Sequence, residues 1–368
     1  RLTTLAILLS AISWELDGKR QESFANYVNE PGNEAEDLPP KPRLALRERD
    51  KDFFHKYIQK FQFKDLLEND AVNLTDSQKN IRDNAEMFLI KLKEICNSSK
   101  EKIFEFGKFI VNRCYLVAVS TATMQSAYRI FSVLNDRGLD LLPSDLLKAD
   151  IIGKLPEYQR DKYTDIWEEW EEDLGRDGFN DLFAHIRMIY MKAKAKKTIL
   201  EELKGSIFPQ FTNTASFVDD VLVPYAEAYQ IILNAAFQSS QDATKINNLI
   251  NWLLKIDNSD WIPPAILFLT NHKTDTVVVE KFFEKLEQLA ASMFIRRLSV
   301  NERLDRYSKI LTAIENKENL YPGKSLLDLS PKEILDTLAV ISGDVYLMPI
   351  RPRTYLLLRL DSFISDKA

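Results

Sequence analysis

Histidine and cysteine are scarce in this sequence: 368 residues contain 3 His and 2 Cys. Cys96 and Cys114 are too few for a disulfide framework or a cysteine-built metal cluster, so two free thiols in a reducing, cytoplasmic compartment are expected. His55, His185 and His272 lie far apart and none sits at a metal-ligand spacing, so each reads as a surface or packing residue. Glycine is also thin, at 10 residues, and neither Gly-x-x-x-x-Gly-Lys-[Ser/Thr] nor Gly-x-Gly-x-x-Gly occurs. A phosphate loop and a dinucleotide-binding fold are thereby disfavoured. No apolar run approaches the roughly 18 residues that a membrane span requires, and the stretch 5–12 is much too short, so no membrane partner is expected.

A net charge of −6 argues against a chain that coats a polyanion by bulk electrostatics. Contact with DNA would have to come from local patches. One patch comprises Arg187, Lys192, Lys194, Lys196 and Lys197, and the other Arg296, Arg297, Arg303 and Arg306. Each also fits the plainer reading of a solvated helix face. The acids Glu168-Glu169 and Glu171-Glu172-Asp173 read as the wet side of a helix that carries Trp167 and Trp170.

What the chain has in quantity is apolar residues, 45% of the total, enough for a substantial core. The fold class expected is α+β, mostly α: a small α/β core over residues 1–157, then a large helical domain over 158–368. Residues 1–16 read as one helix that ends near Asp17-Gly18. The segment 29–42, with Pro31, Pro39, Pro40 and Pro42, is the clearest loop. Arg43–Leu46 alternates like a short edge strand, and Asp50 opens a helix bearing Phe53, Phe54, Tyr57, Ile58 and Phe61. Residues 76–113 are helical, with Ile81, Phe88, Leu89, Leu92 and Ile95 on the apolar stripe. Tyr115–Ser120 is a buried-strand candidate. From Tyr158 onward helices follow one another, with a strand considered only at Tyr346, and Trp167, Trp170, Trp252 and Trp261 read as packing residues.

The most informative stretch is Phe131–Ile152. Met124, Ala127, Tyr128, Phe131 and Leu134 recur at helical spacing, Asn135-Asp136-Arg137-Gly138 makes a polar turn, and a second helix starts near Ser144, capped by Ser144 or Asp145. Ordinary capping chemistry favours the same residue types. The pattern Phe131, Leu134-Asn135-Asp136-Arg137-Gly138, Leu141, Ser144-Asp145-Leu146 and Lys148-Ala149 resembles the second signature block of the GmrSD-type restriction endonuclease N-terminal domain, a family with a ParB/sulfiredoxin-like core. Arg1-Leu2-Thr3-Thr4-Leu5 is similar to the end of that family's other signature, a strand closing in Asp-Gly-Gln-Gln-Arg and running into a helix. Tyr355–Leu360 resembles the segment these proteins carry before a His-Asn-His nuclease domain. The expectation from both ends is a fragment that lacks most of the DGQQR motif, the N-terminal strand and the nuclease centre. Leu142, where the family often has Ser or Thr, is a departure.

The resemblance implies binding and hydrolysis of a nucleoside triphosphate (GTP, ATP or UTP) with Mg, controlling a nuclease aimed at modified or foreign DNA in anti-phage defence. Carried onto matched positions, Arg1 is the catalytic, phosphate-contacting residue. Asn135, Arg137 and Gly138 line the nucleotide pocket, and Asp145 and Lys148 support the second helix. Guanidinium groups and helix N-termini suit such an anion. DNA would be met through Lys194, Lys196, Lys197, Arg296 and Arg297 or through an adjoining nuclease domain, and a homodimer is left open. Two other readings stand beside this one, a non-catalytic ParB-like DNA-binding module and a helical interaction scaffold.

Overall fold

A computed structural model describes residues 2–68, 74–116, 120–121, 142–320 and 325–365. The chain forms two compact units, Arg1–Ser120 and Thr121–Ala368. The fold is α+β and mostly α: among the described residues the sheet is one antiparallel ribbon of two strands, with Asn29 opposite Pro42 and Glu30 opposite Lys41.

The first unit is built around α1 (Leu2–Glu15), whose buried Ile7, Leu9, Ala11 and Ile12 make it the central element of the core. It is followed by α2 (Gly18–Val28), strands β1 (Asn29–Glu30) and β2 (Lys41–Pro42), α3 (Glu48–Phe54), a π-helical turn His55–Gln59 and α4 (Phe63–Glu68). Helices α5 (Asp76–Ile95) and α6 (Lys100–Arg113) complete it. Thr75 opens α5 by a reciprocal cap with Gln78, each donating a backbone N–H to the other's side chain at 3.3 Å, which satisfies two otherwise unpaired amides. Gly107 permits the close approach of α6, since a Cβ there would stand 2.4 Å from the tip of the Phe24 ring.

Two expected strands come out differently. Strand pairing falls on Lys41–Pro42; the Arg43 N–H still bonds back to the Val28 carbonyl, but the Leu44 carbonyl accepts from the Gln59 side chain at 2.6 Å and Arg43–Leu46 forms no strand. The strand candidate at Tyr115–Ser120 lies partly outside the described residues; its first two members, Tyr115 and Leu116, are exposed and in no regular element. Of the α5 stripe, Ile81, Leu89 and Leu92 are buried and Phe88 packs at its edge, but Ile95 is 69% exposed at the frayed helix end.

The second unit is helical throughout its described residues apart from loops and turns. Its core gathers Leu147, Ile151 and Leu155 with Trp167, Phe179, Phe183, Trp261, Phe268, Phe282 and Tyr307. Leu147, Ile151 and Leu155 place the helix Pro143–Gly153 in this second body. Helices Glu157–Asp173, Gly175–Met191, Thr244–Leu254, Ile262–His272, Thr276–Ile295 and Val300–Glu315 follow the apolar periodicity. Pro263 and Pro264 sit buried in the first turn of Ile262–His272, where their missing N–H groups cost nothing. Between Thr214–Phe217 and Val223–Asn234 the chain passes through a π-helical turn, Val218–Leu222. Tyr346 lies in a single 3-10 turn rather than a strand. Trp167 and Trp261 are fully buried, and Trp170 and Trp252 pack against the same core, so all four are packing residues.

Candidate functional site

The first unit holds a polar cavity of about 520 Å³ at the start of α1. Thr3, Thr4 and Ile7 of α1 form one wall, Ala45, Leu46, Arg47 and Asp50 a second, and Ser77, Asn80, Ile81 and Asn84 of α5 a third. Each wall has a sequence cause. Residues 45–47 are held by Gln59, which is 3% exposed: it donates to the Leu44 carbonyl at 2.6 Å, while its own carbonyl accepts from Asn29 at 2.8 Å. The π-helical turn widens the helix at that place and presents Gln59 inward. On α5, Ser77, Asn80 and Asn84 recur at spacings of three and four, so they form one polar stripe.

Asp50 is the chemical centre of this cavity. It is 2% exposed, and its Oδ2 accepts from Arg47 Nε at 2.5 Å and from Ser77 Oγ at 2.9 Å. Its other oxygen, Oδ1, is buried and has no hydrogen-bond partner among the described residues. An unpaired buried acceptor is costly and uncommon, which singles out this carboxylate. At the wall formed by α1, the helix begins with amides that no preceding turn can satisfy, beside Thr3 and Thr4. The cavity therefore has a donor-rich wall and an acceptor-bearing one.

The residues singled out by sequence are distributed otherwise. Arg1, Asn135, Arg137 and Gly138 lie outside the described residues. Asp145 and Lys148 belong to the second unit, on the helix Pro143–Gly153. Asp145 caps that helix by accepting the Leu142 N–H at 2.8 Å and pairs with Arg176 at 3.0 Å, which answers how a helix preceded by leucine is capped. Lys148 pairs at 2.8 Å with Glu168, which is only 7% exposed. Glu168 is therefore not on a wet face as expected; Pro143–Gly153 and Glu157–Asp173 pack together and bury it against an ammonium. Nearby Glu171 is held above the usual carboxylate range, first by burial, with Lys148 acting in the opposite sense.

The basic groups divide sharply. Arg187 is buried in an ion pair with Glu202, Lys192 pairs with Glu315 at 2.8 Å, and Arg303 pairs with Asp260 at 2.7 Å. Arg306 donates to the Leu326 and Asp328 carbonyls, and Arg296 to Ser292, with Glu333 within 3.5 Å of Arg296 and 3.7 Å of Arg306. Arg297 is exposed beside a shallow cavity that Asp257 and Arg351 also line. Lys194, Lys196 and Lys197 are exposed on one loop whose backbone is fastened from below: the Glu202 carboxylate accepts the N–H groups of Lys196 and Lys197 at 2.9 and 3.2 Å, and Arg187 donates to the Ala193 carbonyl at 2.5 Å.

Sequence reading missed Asp50, Ser77, Asn80 and Asn84 as a group. The available signal was Asn80 and Asn84 in a helix interior, where asparagine is a poor helix former and four residues apart shares a face. Among the described residues no group of three or more His, Cys, Asp or Glu gathers to hold a metal ion, and no helix is long and apolar enough to cross a membrane.

No curated protein and no solved structure matches the chain. Residues 1–152 match the family described as the GmrSD restriction endonuclease, N-terminal domain, a span that includes both sequence blocks and the whole of the cavity. Residues 1–152 are thus similar to the GmrSD restriction endonuclease N-terminal domain family.

Proposed function

We propose that this chain is the nucleotide-handling part of a restriction endonuclease, binding and hydrolysing a nucleoside triphosphate and so controlling cleavage of modified or foreign DNA. The family match over residues 1–152 carries the reading. A restriction endonuclease acts on DNA, and a module that gates it needs a small-molecule site. The cavity at the start of α1 supports that need: it is lined by polar side chains and opens on a helix N-terminus.

In this reading Arg1 and the first-turn amides of α1 meet phosphate, and Asn135, Arg137 and Gly138 line the nucleotide pocket. Asp145 and Lys148 act at one remove, by fixing the helix that follows the turn. Mg²⁺ arriving with a nucleotide is coordinated chiefly by phosphate and water and asks for one or two carboxylates at most. Asp50, the carboxylate among the described residues that line the cavity, already accepts from Arg47 and Ser77, so Mg²⁺ would be held by phosphate and water. When bound, Mg²⁺ would neutralise phosphate charge. What the chain's own groups do is hold and orient the anion.

Titration of the intact protein with GTP, ATP and UTP tests this. Saturable binding of at least one of them, weakened by Asn135→Ala and by Arg137→Ala, is expected. Absence of binding, or binding indifferent to both substitutions, would overturn it.

A further inference from the structure

We infer that the Asp50 end of the cavity takes the nucleoside portion of the ligand, with Asp50 Oδ1 accepting a hydrogen bond from a sugar hydroxyl or base N–H. This deepens the nucleotide reading and rests on it. Three observations carry the inference.

The first is the state of the carboxylate. Oδ2 is engaged by Arg47 and Ser77, while Oδ1 is buried and has no partner among the described residues. Only a hydrogen-bond donor or a cation relieves that arrangement. A phosphate oxygen offers lone pairs alone, so placing it at Oδ1 would set acceptor against acceptor and anion against anion. The phosphate end must therefore lie elsewhere.

The second is the polarity of the cavity. Thr3 and Thr4 occupy the first turn of a 14-residue helix, where backbone N–H groups await acceptors. Anion at that wall and donor-bearing group at the Asp50 wall is the one orientation of a nucleotide that satisfies both.

The third is the companion side chains. Asn80 and Asn84 line the same wall on α5 and carry both donors and acceptors, as recognition of a sugar or base edge requires. The Asn84 amide nitrogen is bound to the Asn80 carbonyl at 2.6 Å, which fixes its rotamer and leaves its side-chain oxygen as an acceptor. A cavity of about 520 Å³ is in the range of small-molecule sites.

Asp50→Asn is the decisive variant. Arg47 and Ser77 both donate to Oδ2, so the amide oxygen occupies that position and the NH₂ replaces Oδ1, reversing the hydrogen-bond polarity there with almost no change of shape. The intact protein is titrated with each ribonucleoside triphosphate, the corresponding ribonucleosides and 2′,3′-dideoxynucleosides, inorganic triphosphate, and Mg²⁺ alone. The expected result is a loss of at least tenfold in affinity for the nucleoside triphosphate and its nucleoside on Asp50→Asn, with inorganic triphosphate unaffected. Asn84→Ala, which leaves the buried carboxylate intact, gives a smaller loss in the same direction and guards against misfolding of the first variant. Loss of the difference between ribonucleoside and dideoxynucleoside in Asp50→Asn assigns the sugar hydroxyls as donors; persistence of that difference with weakened binding of both assigns the base.

Unchanged triphosphate binding in both variants overturns the inference while leaving the nucleotide reading intact. So does a variant whose only defect is in Mg²⁺ binding. Failure of every nucleotide to bind the unaltered protein overturns the nucleotide reading and this inference together.

Discussion

Arg187 and Glu202 form an ion pair inside the second unit, with side chains 9% and 6% exposed, and the loop between them carries Lys194, Lys196 and Lys197. The guanidinium holds the carboxyl below the usual carboxylate range, helped by the N–H groups of Lys196 and Lys197. Burying two charges costs solvation that their attraction must offset, and removal of one partner leaves the other stranded. Arg187→Met should therefore lower stability by about 3–5 kcal/mol. The double variant Arg187→Met with Glu202→Met should recover much of that loss, because no buried charge remains. Urea denaturation of the three proteins checks this; a double variant no more stable than the single one contradicts it. Limited proteolysis should show new cleavage between Ala193 and Thr198 in the single variant.

The same pair gives the three lysines a fixed platform, whereas Arg187, Arg303 and Arg306 are spent on internal partners. If DNA backbone runs over this loop, replacing Lys194, Lys196 and Lys197 together by Glu should weaken binding uniformly across sequences. Each phosphate contact contributes about 0.9 to the slope of log affinity against log salt concentration, so the slope should fall by about 2 to 3. An unchanged slope in a DNA-binding titration at several salt concentrations removes these residues from the interface.

His185 gives a pH dependence of defined sign. It is 7% exposed, packs edge-on against Tyr229 at 5.0 Å between ring centres, and burial pushes its pKa down to about 4 from 6.5. The unfolded chain then binds a proton that the folded chain refuses. Stability contributed by the neutral ring is complete above about pH 6.5 and is lost as pH falls toward about 4, a total of roughly 3 kcal/mol. Melting temperatures between pH 7 and 4 should fall less steeply in His185→Phe than in the unaltered chain. Parallel profiles would show that His185 is not the group responsible.

Helices with a strong apolar period were legible because burial and periodicity are the same fact seen twice: Phe282, Phe283, Leu286 and Leu289 recur on one side of Thr276–Ile295, and all four are buried. The edge strand was misplaced because Arg43–Leu46 carries the right alternation, but side chains distant in sequence, notably Gln59, take the backbone groups a partner strand would need. The cavity escaped notice for a related reason. Asp50 in a helix-opening position reads as capping chemistry, and Asn80 and Asn84 as a solvated face; only the convergence of α1, α3 and α5 turns them into a wall. Asp145 and Lys148 were identifiable as polar groups near a helix start, but their partners Arg176 and Glu168 lie on helices that no local pattern pairs with theirs.

Those last two residues yield a prediction that separates scaffolding from ligand contact. Lys148 pairs with buried Glu168 at 2.8 Å, and Glu171 beside it already sits above the usual carboxylate range through burial, with the Lys148 charge pulling it back down. In Lys148→Met the ammonium is gone, so the Glu171 carboxyl rises further and buried Glu168 loses this ion pair. A carboxyl whose folded pKa exceeds its unfolded one destabilises the fold above that folded value, and the penalty disappears as pH falls below the unfolded value. Lys148→Met should therefore be least stable relative to the unaltered protein at pH 7 and should approach it near pH 4, as followed by chemical denaturation at each pH. Substituting Glu168→Gln in the same chain should remove most of the deficit at pH 7. A nucleotide contact at Lys148 would instead leave stability flat across pH and reduce affinity alone, and that outcome would move Lys148 from the scaffold into the binding site.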